Sequence, residues 1–171
     1  MSGAAGETDA AGENGERPTI DALLEDARRR LAGSRRERRG DWVQARRLLG
    51  FGRAPRIVPV GDVWHVGVLL IADAEVYATG EVLRARTEAP RGYTAEAQRE
   101  RSERAAAAAR GGFADGEVVH LGAEPLDLGA LRRGEASGPL SVVAGVVHVR
   151  WSASGAPRPL ADYLDEQFAL R

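Results

Sequence analysis

The sequence predicts an α+β domain: a mostly antiparallel sheet of about five to six strands packed with two or three helices, preceded by a disordered leader and an N-terminal helix. Three observations lead there. Apolar residues alternate with polar ones, or form short runs, over most of residues 57–151, and Gly, Pro and Asp bound those runs. Several runs are joined by tight turns, which implies antiparallel pairing. Helical spacing appears at both ends of the chain and once in the middle, the pattern of an α+β fold. Hydrophobic residues make up 43% and aromatics only 5%, so the core must be mostly Val, Leu and Ala.

Residues 1–17 have almost no large apolar side chains and cannot offset the entropy of ordering; they read as an acidic, disordered leader. Residues 18–33 read as an amphipathic helix. Thr19 suits the N-cap and Asp21 the first turn, while Arg28, Arg29 and Arg30 suit the last turn. Ile20, Leu23, Leu24, Ala27 and Leu31 form its apolar stripe, and Gly33 stops it. Residues 34–56 read as an Arg-rich linker holding a short helix over 41–49, with Trp42, Ala45, Leu48 and Leu49 able to dock it.

The compact domain is expected over residues 57–171. Strands are predicted at 57–60 and 63–72, divided by a Gly61–Asp62 turn. A return strand follows at 76–86 with a bend at Gly80; Leu83 and Ala85 face one way, Arg84 and Arg86 the other. Thr94 caps a helix running to Arg110, braced by Glu100 and Arg104 and ended by Gly111–Gly112. A short strand at 117–121 precedes a short helix or turn at 126–131. Strands at 140–143 and 146–151 form a hairpin around Ala144–Gly145. Pro159 can open a last helix, with Leu160, Tyr163, Leu164 and Phe168 along one face.

Composition excludes several chemistries. Cysteine is absent, which removes disulfides, thiolate metal sites and cysteine nucleophiles. All 24 basic residues are arginine, so Schiff bases, Ser–Lys dyads and a P-loop lysine are removed too. The longest apolar run, residues 66–72, is too short to span a bilayer, and the N-terminus lacks the basic and apolar regions of a secretory signal. The expectation is a cytoplasmic chain with no membrane contact and no cofactor.

Three groups of residues merit attention. His65, His120 and His148 all fall in predicted strands, and three imidazoles could converge on zinc with a fourth position open to water, as in a metal-dependent hydrolase. Alternation argues against this: Val147, Val149 and Trp151 form the apolar face of the last strand, leaving His148 beside Arg150 on a half-exposed polar face. Arg84, Arg86, His148 and Arg150 could together form a basic strip for phosphates or carboxylates, if their strands are neighbours. The segment holding Arg35, Arg36, Arg38, Arg39, Arg46, Arg47, Arg53 and Arg56 could bind nucleic acid, or could instead dock against the acidic remainder of the domain.

Other features read as ordinary structure. Arg110-Gly111-Gly112-Phe113 is a helix end. Ser152 and Ser154 lack a nucleophile elbow. Asp162, Asp165 and Glu166 lie on the solvated face of the last helix.

Pro59-Val60-Gly61-Asp62-Val63-Trp64, Gly67-Val68-Leu69-Leu70, Tyr77-Ala78-Thr79-Gly80 and Arg110-Gly111-Gly112-Phe113 resemble stretches of small proteins of high-GC bacteria. Val149-Arg150-Trp151 and Leu160-Ala161-Asp162-Tyr163-Leu164 look similar as well. The resemblance implies no activity. A glutaminase in particular is not supported, because the serine type needs a lysine and the amidotransferase type a cysteine. The expectation is therefore a non-enzymatic binding or interaction domain, with a protein partner, or nucleic acid at residues 28–56, as its ligand.

Overall fold

The computed structural model describes residues 17–43, 54–87 and 96–171. The leader over 1–16, residues 44–49 of the expected short helix with Arg46 and Arg47, Arg53, and the Thr94 cap lie outside the described residues. The chain is α+β. In order it forms α1 (Ile20–Leu31), β1 (Glu37–Val43), β2 (Arg56–Val66), β3 (Leu69–Ile71), β4 (Val76–Ala78), β5 (Glu81–Arg84) and α2 (Glu96–Arg110). Then come β6 (Val118–Leu121), β7 (Glu124–Pro125), α3 (Leu128–Arg132), β8 (Leu140–Val143), β9 (Val146–Val149), β10 (Arg158–Pro159) and α4 (Leu160–Ala169).

Two sheets replace the expected one of five to six strands. A seven-stranded sheet runs β5-β6-β1-β2-β3-β4-β7, and a three-stranded sheet runs β10-β9-β8. The larger sheet is mixed: β1 and β6 pair in parallel, and its other neighbours pair antiparallel. Besides the two-residue strands β7 and β10, the unexpected strand is β1, which lies where the sequence predicts a linker and the start of a short helix. Glu37–Val43 is instead a central strand, flanked by β2 and β6.

β2 is also longer than expected. Gly61–Asp62 does not turn the chain; those residues pair with Arg39 and Arg38, and the strand continues to Val66. The register slips between Arg39 and Gly40, so Val60 is the extra residue of a bulge. The turn comes at Gly67, whose φ of 58° suits a residue without a side chain. The predicted return strand breaks at Thr79–Gly80 into β4 and β5.

Those two residues reveal the shape of the sheet. Ala78 ends β4 and Glu81 begins β5, yet the two strands stand five positions apart in the strand order. Three chain steps reach at most about 11 Å, whereas five flat strand spacings come to roughly 24 Å. The same holds between Leu121 of β6 and Glu124 of β7. The sheet must therefore roll up until its two edges come close, as in a small barrel.

The outside of the roll is covered in two places. Trp64, Val66, Leu69, Ile71 and Val76 pack with α1, α3, α4 and the small sheet into the main core. Ile57, Leu83, Val119 and Leu121 pack with Phe113 and the Ala107–Ala108 stretch of α2. The smooth alanine face lets α2 lie close to β2. The close approach at Gly40 is similar, since a Cβ there would press on Ile57 and Val119. Inside the roll, Val63, Leu70 and Tyr77 form a small cluster. The predicted caps and turns recur: Thr19 accepts from the Ala22 N–H at 3.2 Å, and Ala144–Gly145 turns the β8–β9 hairpin with both residues at positive φ.

Each arginine of the 36–39 stretch is tied down. Arg36 lies over the Trp64 ring at 3.9 Å and pairs with Asp73 at 2.5 Å. Arg38 lies over Phe113 at 4.8 Å and grips Glu117 with two hydrogen bonds of 2.5 Å. Arg39 lies over Tyr77 at 3.7 Å and donates to its hydroxyl at 2.9 Å. Docking against the domain is thus what these three arginines do. No helix among the described residues is long and apolar enough to cross a membrane.

Arg38 holds the Glu117 carboxyl below its ordinary value of 4.5 through hydrogen bonds and charge, aided by the Ala114 N–H. A carboxyl whose folded pKa is depressed adds stability above its unfolded pKa, and that stability is lost as pH falls through the folded value. Glu117→Gln is expected to destabilise the fold by about 1–3 kcal/mol at neutral pH, the worth of charged hydrogen bonds. Denaturant titrations across the acid range should show a flatter loss of stability below pH 4.5 in the variant than in the wild type.

Candidate functional site

Three chemistry-bearing side chains meet at one mouth of the rolled sheet, and alternation along the strands explains why. Glu37 opposes Val63 across the β1–β2 ladder, so both project to the interior, and His65, two residues on, projects the same way. On the other side of β1, His120 of β6 pairs with Arg39, which shares its face with Glu37. One interior face therefore carries Glu37, Arg39, His65 and His120 beside the apolar Val63, Leu70 and Tyr77.

The geometry of the trio is tight. Glu37 Oε2 lies 2.5 Å from His120 Nε2 and 3.8 Å from His65 Nδ1. The two imidazoles meet edge to face with centroids 4.8 Å apart. One ligand atom from each residue lies within 4.8 Å of the others, the spacing of groups able to hold a metal ion. His120 is fully buried, whereas Glu37 and His65 are about one-third exposed. The cluster thus has a closed back and an open front.

His65 Nε2 donates to the Gly67 carbonyl at 2.8 Å, which turns the other ring nitrogen, Nδ1, toward the Glu37 carboxylate. Burial pushes the His120 pKa below 6.5, opposed by its hydrogen bond to Glu37 and assisted by the neighbouring His65. His120 is therefore neutral at pH 7, and its Nε2–H donates to Glu37. Its Nδ1 is buried with no partner.

The open front is a cleft of about 460 Å³ lined by Arg35, Glu37, His65, Gly67, Gln167, Leu170 and Arg171. A second cleft of about 300 Å³ is lined by Arg35, Arg36, Glu37 and residues 114–118. Arg171 donates to the His65 carbonyl. Behind Gly67, the Tyr163 hydroxyl accepts from the Val68 N–H at 2.8 Å, and burial raises its pKa.

The other predicted site residues divide plainly. His148 does not join the cluster: it sits on β9 in the small sheet, its Nδ1 hydrogen-bonded to the Val146 carbonyl at 2.9 Å. The expected half-exposed polar face holds for His148 and fails for His120, because β6 is flanked by strands inside the roll. The basic strip does not form, since Arg84 is on β5 of the large sheet while His148 and Arg150 belong to the small sheet and its edge. Arg84 donates to the Gly116 carbonyl at 3.1 Å, and Arg86 is exposed just beyond β5. Trp151 does not share the apolar face of Val147 and Val149; it is 51% exposed. Sequence reasoning missed Glu37, which lay in the expected linker. Period-two spacing from Arg39 would have placed it beside the histidines, had the segment been read as a strand.

Gly67 holds the anchor for His65, and a Cβ there would overlap the Tyr163 hydroxyl. Gly33 also has positive φ, but a Cβ there meets nothing. Gly33→Ala is expected to cost about 1–2 kcal/mol, the left-handed backbone penalty alone. Gly67→Ala should cost clearly more in the same thermal melts, because steric overlap is added to the same penalty.

No family model matches the chain, and no curated protein or solved structure is detectably similar to it.

Proposed function

We propose that the protein is a metal-binding domain that holds one divalent transition-metal ion between Glu37, His65 and His120 at the mouth of its rolled sheet. The observation that carries this reading is the pairing of His65 Nδ1 with Glu37 Oε2 at 3.8 Å. The Gly67 carbonyl accepts from Nε2, so Nδ1 is the ring nitrogen turned to the carboxylate, at a distance too long for a direct hydrogen bond. A cation between the two atoms would be bonded by both.

Four further features support it. Two imidazoles and a carboxylate are a donor set that zinc and its neighbours in the first transition row accept. Zinc at about 2.0–2.2 Å from each ligand atom requires those atoms to stand roughly 3.3 Å apart. The separations of 2.5 and 3.8 Å from Glu37 bracket that value, so small side-chain shifts suffice. The His65 Nε2–H bond to a backbone carbonyl is the outer contact that orients metal-bound imidazoles. A depressed His120 pKa keeps the ring neutral at pH 7, and ligation through Nε2 then requires its proton to shift to Nδ1.

This departs from the three-histidine expectation by exchanging His148 for Glu37. It also bears on nucleic-acid binding by the basic segment: Arg36, Arg38 and Arg39 already have partners, so a phosphate backbone would have to displace them.

Purified protein loaded with zinc and dialysed should retain one equivalent by elemental analysis. Glu37→Gln and His65→Ala should each weaken zinc at least about tenfold in competition titrations, since even outer contacts carry effects of that size. His148→Ala should bind as the wild type does. Failure to retain zinc, or unchanged affinity in the His65 variant, would sink the reading.

A further inference from the structure

We infer that the metal and the Arg35 guanidinium together bind a small oxyanion, a phosphate or carboxylate group, in the cleft at the mouth of the sheet. The inference rests on the metal reading above and adds a ligand class to it.

The first step is where the open coordination position lies. Three protein ligands leave a tetrahedral ion one position for a water or ligand. His120 is fully buried and approaches from inside the roll, whereas Glu37 and His65 line the cleft. The free position therefore faces the cleft rather than the core.

The second step is charge. Glu37 is the sole carboxylate side chain among the cleft's lining residues, and it would be spent on the metal. Against it stand the guanidiniums of Arg35 and Arg171. The adjoining cleft also holds Glu117, which Arg38 grips with two hydrogen bonds and which feels the charge of Arg35, and Asp115, which accepts from the Thr87 N–H and hydroxyl. With a divalent ion in place and Glu37 bound to it, the side chains lining the cleft carry net positive charge, which favours an anion.

The third step is the donor that completes the site. Arg35 differs from its neighbours: Arg36 and Arg38 hold carboxylates and Arg39 holds Tyr77. Arg35 makes no ion pair or side-chain hydrogen bond among the described residues. It lines both clefts, as Glu37 does. A planar guanidinium fork beside a metal's open position fits an oxyanion that gives one oxygen to the ion and its remaining oxygen or oxygens to the fork. Gln167 adds an amide on the same wall. A cleft of about 460 Å³ lies within the range of small-molecule sites.

The test uses the full chain loaded with cobalt(II), whose visible spectrum reports its coordination, titrated with inorganic phosphate and separately with acetate. Either anion should change the spectrum saturably with one site per chain, and the tighter of the two identifies the ligand class. Arg35→Gln should weaken that anion about tenfold while cobalt stoichiometry stays unchanged, the expected size for losing a charged two-pronged contact. Arg150→Gln, at a residue that does not line the cleft, should leave both readings unchanged. Cobalt bound normally with a spectrum indifferent to both anions overturns this inference alone, as does wild-type anion affinity in the Arg35 variant. Absence of bound cobalt overturns the metal reading and this one with it.

Discussion

A guanidinium carried into the middle of a sheet must find an anion or an aromatic face, and β1 carries two there. Arg38 and Arg39 alternate to opposite faces of the roll, and each face meets that requirement differently. Outside, Arg38 lies over Phe113 and clasps Glu117. Inside, Arg39 lies over Tyr77, whose hydroxyl accepts from it and donates to Glu75. Arg36, just before the strand, completes the series over Trp64 and Asp73. Stacking on a ring contributes modestly, about 0.5–2 kcal/mol depending on burial. Its larger effect is on register. A slip of one residue would send Arg38 inward and Arg39 outward, stranding both charges away from their partners. The same register places Glu37 inside, within reach of both histidines.

The roll explains why these groups meet at all. In a flat sheet, the interior face of β6, β1 and β2 would be open to water, and His120 would be an ordinary surface residue. The two-residue links from β4 to β5 and from β6 to β7 draw the edges together, so that face becomes a lining. Val63, Leu70 and Tyr77 fill one part of it with apolar bulk. Polar side chains occupy the rest, down to the mouth where Glu37 and His65 meet the cleft.

Much of the fold is legible in the sequence because local chemistry and packing agree. The α1 stripe, the Thr19 cap, the alanine face of α2 and the hairpin at Ala144–Gly145 all stand where periodicity puts them. The failures share one cause. Period-two reasoning follows apolar side chains, and β1 has almost none before Trp42: Glu37-Arg38-Arg39-Gly40-Asp41 reads as solvated chain. What makes it a strand is long-range, namely rings at positions 64, 77 and 113 and acids at 73 and 117, and no spacing rule links those positions. The Gly61–Asp62 turn was misread for the related reason that β2 bulges at Val60 instead of ending. At the site, the strand assignment of His65 and His120 is visible in the sequence. Their juxtaposition depends on the parallel pairing of β1 with β6, which a chain of tight antiparallel turns does not suggest.

The cluster is hard to account for as scaffolding. His120 has no exposed surface, and one of its ring nitrogens lies buried without a partner. Leaving a buried polar atom unpaired costs about 1–3 kcal/mol, and a buried polar pair is often matched or bettered by apolar residues of similar volume. The same interior already contains Val63 and Leu70 packed without any polar atom in the side chain, so the fold has an apolar solution to the same problem a few ångströms away. Stability alone would favour extending it to position 120. A carboxylate and two imidazoles kept together instead, with one ring locked by a backbone carbonyl and the front left open, are what a cation-binding centre requires, and local conflicts with folding economy are expected at functional sites.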